Sequence, residues 1–118
     1  MSTIHLSRRW LSLYPKDYLP DLVPEAENPL EHLQKTVKEY GRSPSLCYFN
    51  RVISYQELDE MSDAFACALK DLGIEKGDRI ALYLQNIPQF IIAQYGIWKV
   101  GGIVVPLNPM YKEKELTY

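Results

Sequence analysis

The chain has 118 residues, 47% apolar and 24% charged, with a formal net charge of −2 and a pI near 5.7. That is enough for one modest domain with a real core. The balance of charge excludes the basic footprint that nucleic-acid binding requires. No run approaches the roughly 18 apolar residues of a spanning helix, and the N-terminus carries Arg8 and Arg9 but no apolar stretch of signal-peptide length.

Residues 1–28 read as a leader arm. Pro15, Pro20 and Pro24 cut it into short extended pieces, and Trp10, Leu11, Leu13, Tyr14, Tyr18, Leu19 and Leu22 make it adhesive. An arm laid along a surface, its own or a partner subunit's, fits better than a flexible linker, which would be rich in Gly and Ser. From residue 29 to 118 the chain reads as the first part of an α/β domain.

Asn28 and Pro29 signal a helix start, since Asn caps and Pro at the first position lacks a donor that is unpaired there anyway. Leu30, Leu33, Val37 and Tyr40 give it an apolar stripe, and Gly41 is expected to end it. "SLCYFNRVISY" reads as a hairpin of strands 45–49 and 52–54 turning at Asn50 and Arg51. Ser54 and Glu57 form a capping box for a helix over 55–72. Its stripe is Leu58, Met61, Phe65, Leu69 and Leu72, and Gly73 ends it. Asp59, Glu60 and Asp63 suit the positive end of that helix and Lys70 the negative end.

A turn at Lys76, Gly77 and Asp78 leads into strand 79–84, apolar on both faces and so expected to be buried between layers. Asn86 is the expected cap of a helix over 87–100 that is apolar nearly all round. Gly96 is placed to allow close helix–strand contact. After Gly101 and Gly102, strand 103–106 completes a right-handed βαβ unit. Lys112, Glu113, Lys114, Glu115 and Leu116 begin a further helix. Two buried parallel strands and an apolar helix call for neighbours that these residues do not supply, so the chain is expected to open a longer protein. Alone it is expected to self-associate, with a dimer favoured, through strand edges or the leader.

Chemistry is sparse. Ligands in open α/β sheets bind beyond the carboxyl ends of the strands, which selects "QNIPQ" (Gln85–Gln89) and "PLNPMY" (Pro106–Tyr111). The first lacks glycine, and Pro88 removes a donor, so capping is favoured there over phosphate binding. Gly101-Gly102 follows a helix and is no dinucleotide fingerprint. Asp59-Glu60 and Glu113/Glu115 read as solvated helix faces before acid–base pairs. The aromatic-rich helix 87–100 reads as core before acyl pocket. Cys47 and Cys67 read as buried free thiols of a reducing compartment. His5 and His32 bring no second ligand for zinc. No catalytic, cofactor-binding or metal-ligating residue is assigned.

The stretch "ISYQELDEMSDAFACALKDLGIEKGDRIALYLQNIPQFIIAQYGIWKVGGIVVPLNPMYKEKEL" resembles the start of acyl-CoA synthetases of the adenylate-forming superfamily. "SYQEL", "LGIEKGDRIAL", "NIPQF" and "GGIVVPLNPMYKEKEL" carry the likeness, over roughly residues 30 to 118. The leader "RRWLSLYPKDYLP" and the "NPMYKEKEL" wording are most similar to the bacterial long-chain fatty-acid–CoA ligase branch. The resemblance implies the first part of a large N-terminal domain. For the parent it implies a cytoplasmic enzyme, peripheral at the membrane at most, that uses ATP, magnesium and coenzyme A to make acyl-CoA, AMP and pyrophosphate through an acyl-adenylate. A medium-chain or aromatic-acid ligase and an amino-acid-activating domain are alternatives within the superfamily. A stand-alone, non-catalytic interaction module is the alternative outside it. The family's phosphate loop, adenylate-binding motifs and catalytic lysine do not occur in these residues. The 118 residues alone are therefore expected to be inactive.

Overall fold

The computed structural model describes residues 8–17, 23–24 and 26–117; Tyr18, Leu19, Pro20 and Leu22 of the leader and His5 lie outside them. The described leader is not wholly extended, because Arg9–Leu13 form a 3-10 turn. Leu11 N–H donates to Arg8 O at 2.9 Å and Tyr14 N–H to Leu11 O at 3.2 Å. Nothing in this stretch forbids such local bonds until Pro15, which holds Tyr14 extended at φ −87°, ψ 154°. Trp10, Leu13 and Tyr14 are exposed.

Helix α1 spans Pro29–Tyr40. Asn28 Oδ1 accepts from Glu31 N–H at 3.0 Å. The Glu31 carboxylate in turn accepts from Glu27 N–H at 2.8 Å, which with Lys35 holds its pKa below the usual carboxylate range. Gly41 ends the helix as expected, with a right-handed φ of −51°. The exit from α1 is fixed by bonds to the next helix. Gln56 N–H donates to Gly41 O and Tyr55 N–H to Ser43 O.

Strands β1 (Pro44–Tyr48) and β2 (Arg51–Ser54) pair antiparallel, with Cys47 opposite Val52 and Tyr48 opposite Arg51. The turn is therefore Phe49-Asn50, one residue earlier than expected, and Phe49 takes the left-handed φ of 50°. Helix α2 (Tyr55–Asp71) carries the expected capping box. Ser54 N–H donates to Glu57 Oε2 at 2.8 Å, and Glu57 N–H donates to Ser54 Oγ at 3.2 Å. Gly73, at φ 85°, supplies the left-handed stop.

The buried stripe of α2 is Leu58, Ser62, Ala66 and Leu69. Met61 and Phe65 are half-buried, and Leu72 is 78% exposed. The small residues are central because helix α3 (Pro88–Lys99) crosses there. A Cβ on Gly96 would lie 2.7 Å from Phe65 Cδ1 and 3.0 Å from Ser62 O. The close approach that Gly96 permits is thus helix to helix, not helix to strand. Ser62, fully buried, donates its hydroxyl to Asp59 O at 2.9 Å and so leaves no buried polar atom unpaired.

Lys99 Nζ completes this junction, 2.6 Å from both Asp59 Oδ1 and Asp63 Oδ1. Burial opposes its charge, but hydrogen bonds to the two aspartates outweigh that and raise its pKa. Two residues that suited a helix dipole in the sequence are thus the acidic members of a tertiary ion-pair cluster.

Strands β3 (Arg79–Tyr83) and β4 (Ile103–Leu107) run parallel around α3, with Arg79 opposite Ile103 and Tyr83 opposite Leu107. This is the expected βαβ unit. Its core is Leu69, Leu82, Ala93 and Ile97, and a second cluster joins Leu33, Ile53 and Leu58 to the other flank of α3. The sheet is not buried on both faces, however. Among the described residues Leu82 is buried, while Arg79, Ala81, Tyr83 and Ile103 are exposed. Strand composition alone could not reveal this, because the helices of these residues lie on one side. The cysteines also depart from expectation, as Cys47 and Cys67 are free but exposed. A four-residue helix α4, Glu113–Leu116, follows.

Candidate functional site

The parallel register brings the two sequence-selected stretches together. Beyond Tyr83 the chain passes through Leu84–Ile87 into α3, and beyond Leu107 it turns through Asn108–Lys112. Between them lies a cleft of about 590 Å³ lined by Gln85, Asn86, Phe90, Asn108, Met110 and Tyr111, among others. Open α/β sheets bind ligands at this end.

The loop after β4 is held in shape locally. Asn108 Oδ1 accepts from Met110 N–H at 2.9 Å, and Lys112 N–H donates to Glu115 Oε2 at 3.0 Å. Tyr83 adds a long-range clamp that the sequence reading missed. Its hydroxyl lies 2.8 Å from Pro109 O and 2.8 Å from Tyr111 O. One hydroxyl has one proton, so it donates to one carbonyl at a time. Its only sequence signal is an aromatic with a polar tip on the last residue of a strand.

Chemically the cleft is neutral. No Lys or Arg is among its lining residues. Asn86 does not cap α3, because the cap position is Ile87, which has no side-chain acceptor, and Pro88 follows. The helix start therefore offers fewer donors than a phosphate site needs. The residues present do not fit Mg·ATP.

The other candidates disperse. Asp59 serves Lys99, and Glu60 accepts from Gln56 Nε2 at 2.9 Å, so the two form no acid–base pair. Glu115 is tied to the start of α4. Ser54 is occupied in its cap, and His32 is exposed. Within α3, burial first and Tyr55 second push the Tyr95 pKa up, which suits a core residue. Among the described residues no group of His, Cys, Asp and Glu could hold a metal.

A parallel βαβ unit with a helix and hairpin on one flank, and a neutral cleft at its strand ends, is part of an open α/β fold. Comparison with known proteins names it. The AMP-binding enzyme family matches residues 33–118. A long-chain-fatty-acid–CoA ligase of Escherichia coli O6:H1 is 35% identical over 115 residues, covering 96% of this chain and 20% of that protein. The Bacillus subtilis long-chain-fatty-acid–CoA ligase is 33% identical over 110 residues, or 92% of this chain and 20% of that one. Among solved structures, the anthranilate CoA ligase AuaEII in complex with anthranoyl-AMP superposes with a TM-score of 0.74. That match has 23% identity and covers 81% of this chain and 19% of that one, so it shows the fold alone. The chain belongs to the AMP-binding enzyme family. It spans about a fifth of the length of the curated relatives it matches.

Proposed function

We propose that these residues are the opening part of the large N-terminal domain of an ATP-dependent long-chain fatty-acid–CoA ligase. The observation that carries this reading is similarity to long-chain ligases along nearly the whole chain, leader included. The parent joins a fatty acid to ATP as an acyl-adenylate with release of pyrophosphate. It then transfers the acyl group to the thiol of coenzyme A with release of AMP. Magnesium accompanies the ATP.

The part played by these residues is scaffolding. The α2–α3 junction fixes the βαβ unit, and Tyr83 shapes the loop that rims the cleft. Phosphate handling is assigned to other residues, since no Lys or Arg lines the cleft among the described residues. Two exposed, unpaired cysteines suit the reducing cytoplasm as its compartment. The 118 residues by themselves self-associate, a dimer being the favoured form. The uncovered face of the β3–β4 sheet, where Tyr83 is 45% and Ile103 51% exposed, supports that reading.

The test is acid-dependent ATP–pyrophosphate exchange by the whole polypeptide, with calorimetry of the 118 residues alone. Exchange that peaks with long-chain fatty acids, and no binding of Mg·ATP by the short chain, is the expected result. Exchange only with aromatic, medium-chain or amino acids would move the assignment within the superfamily. No exchange with any acid would leave an interaction module. Saturable, micromolar Mg·ATP binding by the short chain would overturn the scaffolding role.

A further inference from the structure

The chain beyond β4 folds on itself. Asn108 O accepts from Tyr111 N–H at 2.9 Å, and Asn108 Oδ1 accepts from Met110 N–H at 2.9 Å. These two bonds close a turn with Pro109 at its first central position, which the fixed φ of proline suits. Lys112 N–H donates to Glu115 Oε2 at 3.0 Å. The single turn of α4 is closed by Leu116 N–H on Lys112 O at 3.2 Å and Thr117 N–H on Glu113 O at 3.0 Å. Each of these bonds joins residues at most four positions apart, so the segment keeps its shape wherever it lies.

Very little ties this unit to the body of the fold. Residues 110–117 are all exposed, and Met110 is 78% exposed. Among the described residues, the one side chain from outside the segment that bonds residues 109–117 is Tyr83, at the end of β3. Its hydroxyl stands 2.8 Å from Pro109 O and 2.8 Å from Tyr111 O, the two carbonyls that bracket Met110. A single proton serves one carbonyl at a time, so the tie has the strength of one neutral hydrogen bond. Tyr83 is itself 45% exposed, and water replaces such a bond at small net cost. A segment with few buried contacts opens locally at low free energy.

We infer that residues 108–117 form a hinged flap on the rim of the cleft at the strand ends, latched shut by the Tyr83 hydroxyl. The hinge is the end of β4 at Leu107 and Asn108, where a change of φ and ψ swings the turn and α4 together. Met110 lines the cleft from the flap, while Gln85, Asn86 and Phe90 line it from the loop after β3 and the start of α3. Opening the latch therefore parts the two walls, and the width of the cleft depends on one hydroxyl. This goes beyond the ligase reading and does not depend on it.

Distance measurement across the cleft tests the flap. Gln85→Cys and Lys114→Cys, in a chain carrying Cys47→Ser and Cys67→Ser, take one spin label each. The labelled chain is diluted into unlabelled chain so that intrachain distances alone are read. With Tyr83 present a single short distance is expected to dominate. Tyr83→Phe removes the hydroxyl and keeps the ring, and should raise the share of longer distances about two- to tenfold, the range one hydrogen bond allows. The HN–Hα couplings of Met110 and Tyr111, which report their φ angles, should stay the same because the turn moves as a body. An unchanged distance distribution in Tyr83→Phe would overturn the latch, as would long distances already dominant with Tyr83 present. Longer distances with altered couplings at Met110 and Tyr111 would mean that the loop unravels, and would refute the hinged flap. Altered couplings at Val104 or Val105 would mean that the hydroxyl shapes β4 itself, and would refute the latch too.

Discussion

Gly96→Ala is the most direct probe of how these elements are held together. In an exposed helix interior, alanine in place of glycine stabilises by about 1 kcal/mol. Here the new methyl would sit 2.7 Å from Phe65 Cδ1, 3.2 Å from Phe65 Cβ and 3.0 Å from Ser62 O. The ring can swing aside, but the carbonyl belongs to the α2 backbone and can yield only if the helices part. Parting is resisted by Lys99 bound to Asp59 and Asp63 and by Ile97, fully buried in the cluster with Leu69. Overpacking of this kind costs about 1–3 kcal/mol. Set against the helix-propensity gain, net destabilisation of about 1 kcal/mol is expected, read as a lower urea midpoint. In a Phe65→Ala background the cost should shrink, with a coupling of about 0.5 kcal/mol or more. Gly73→Ala is the control. Its Cβ meets nothing within 4 Å but its φ is 85°, so it should cost about 1–2 kcal/mol independently of Phe65. A raised midpoint for Gly96→Ala, or no coupling to Phe65, would refute the close crossing of α2 and α3.

The cap and the core of α2 can be ranked in the same urea experiment. Ser54→Ala should cost about 1 kcal/mol and Leu58→Ala, at a site 2% exposed, about 2–5 kcal/mol; the reverse order would mean the buried face is misassigned. The Glu57 carboxyl is lowered by the Ser54 amide, then by its hydroxyl. Its contribution is therefore complete above the unfolded carboxylate pKa of about 4.3 and is lost as pH falls through the lower folded value. Glu57→Gln should flatten the fall in stability as pH drops below about 4.3, and an unchanged acid limb would contradict the capping box.

What could be read without coordinates was local in origin. Asn28, the Ser54/Glu57 box and Gly73 act on backbone groups within a few residues of themselves, so their types and spacing suffice to place both helix starts and one helix end. The order strand, helix, strand carries the parallel pairing with it, because a crossover of this kind is right-handed. For the same reason the loops after β3 and β4 were legible as the cleft's two walls. What the tertiary structure decided depends on residues distant in sequence. Gly41 ends α1 with a right-handed backbone because its carbonyl is held by Gln56. Asn86 lost the cap of α3 to Ile87, and the hairpin turned at Phe49 because β-register, set by Tyr48 opposite Arg51, outweighed turn preference. Ser62 is buried and Leu72 exposed because Gly96 admits one face of α2 and leaves the other in water. Tyr83 reaches Pro109 and Tyr111 across 26 and 28 positions, a distance over which residue pattern carries no signal and only packing brings the groups together.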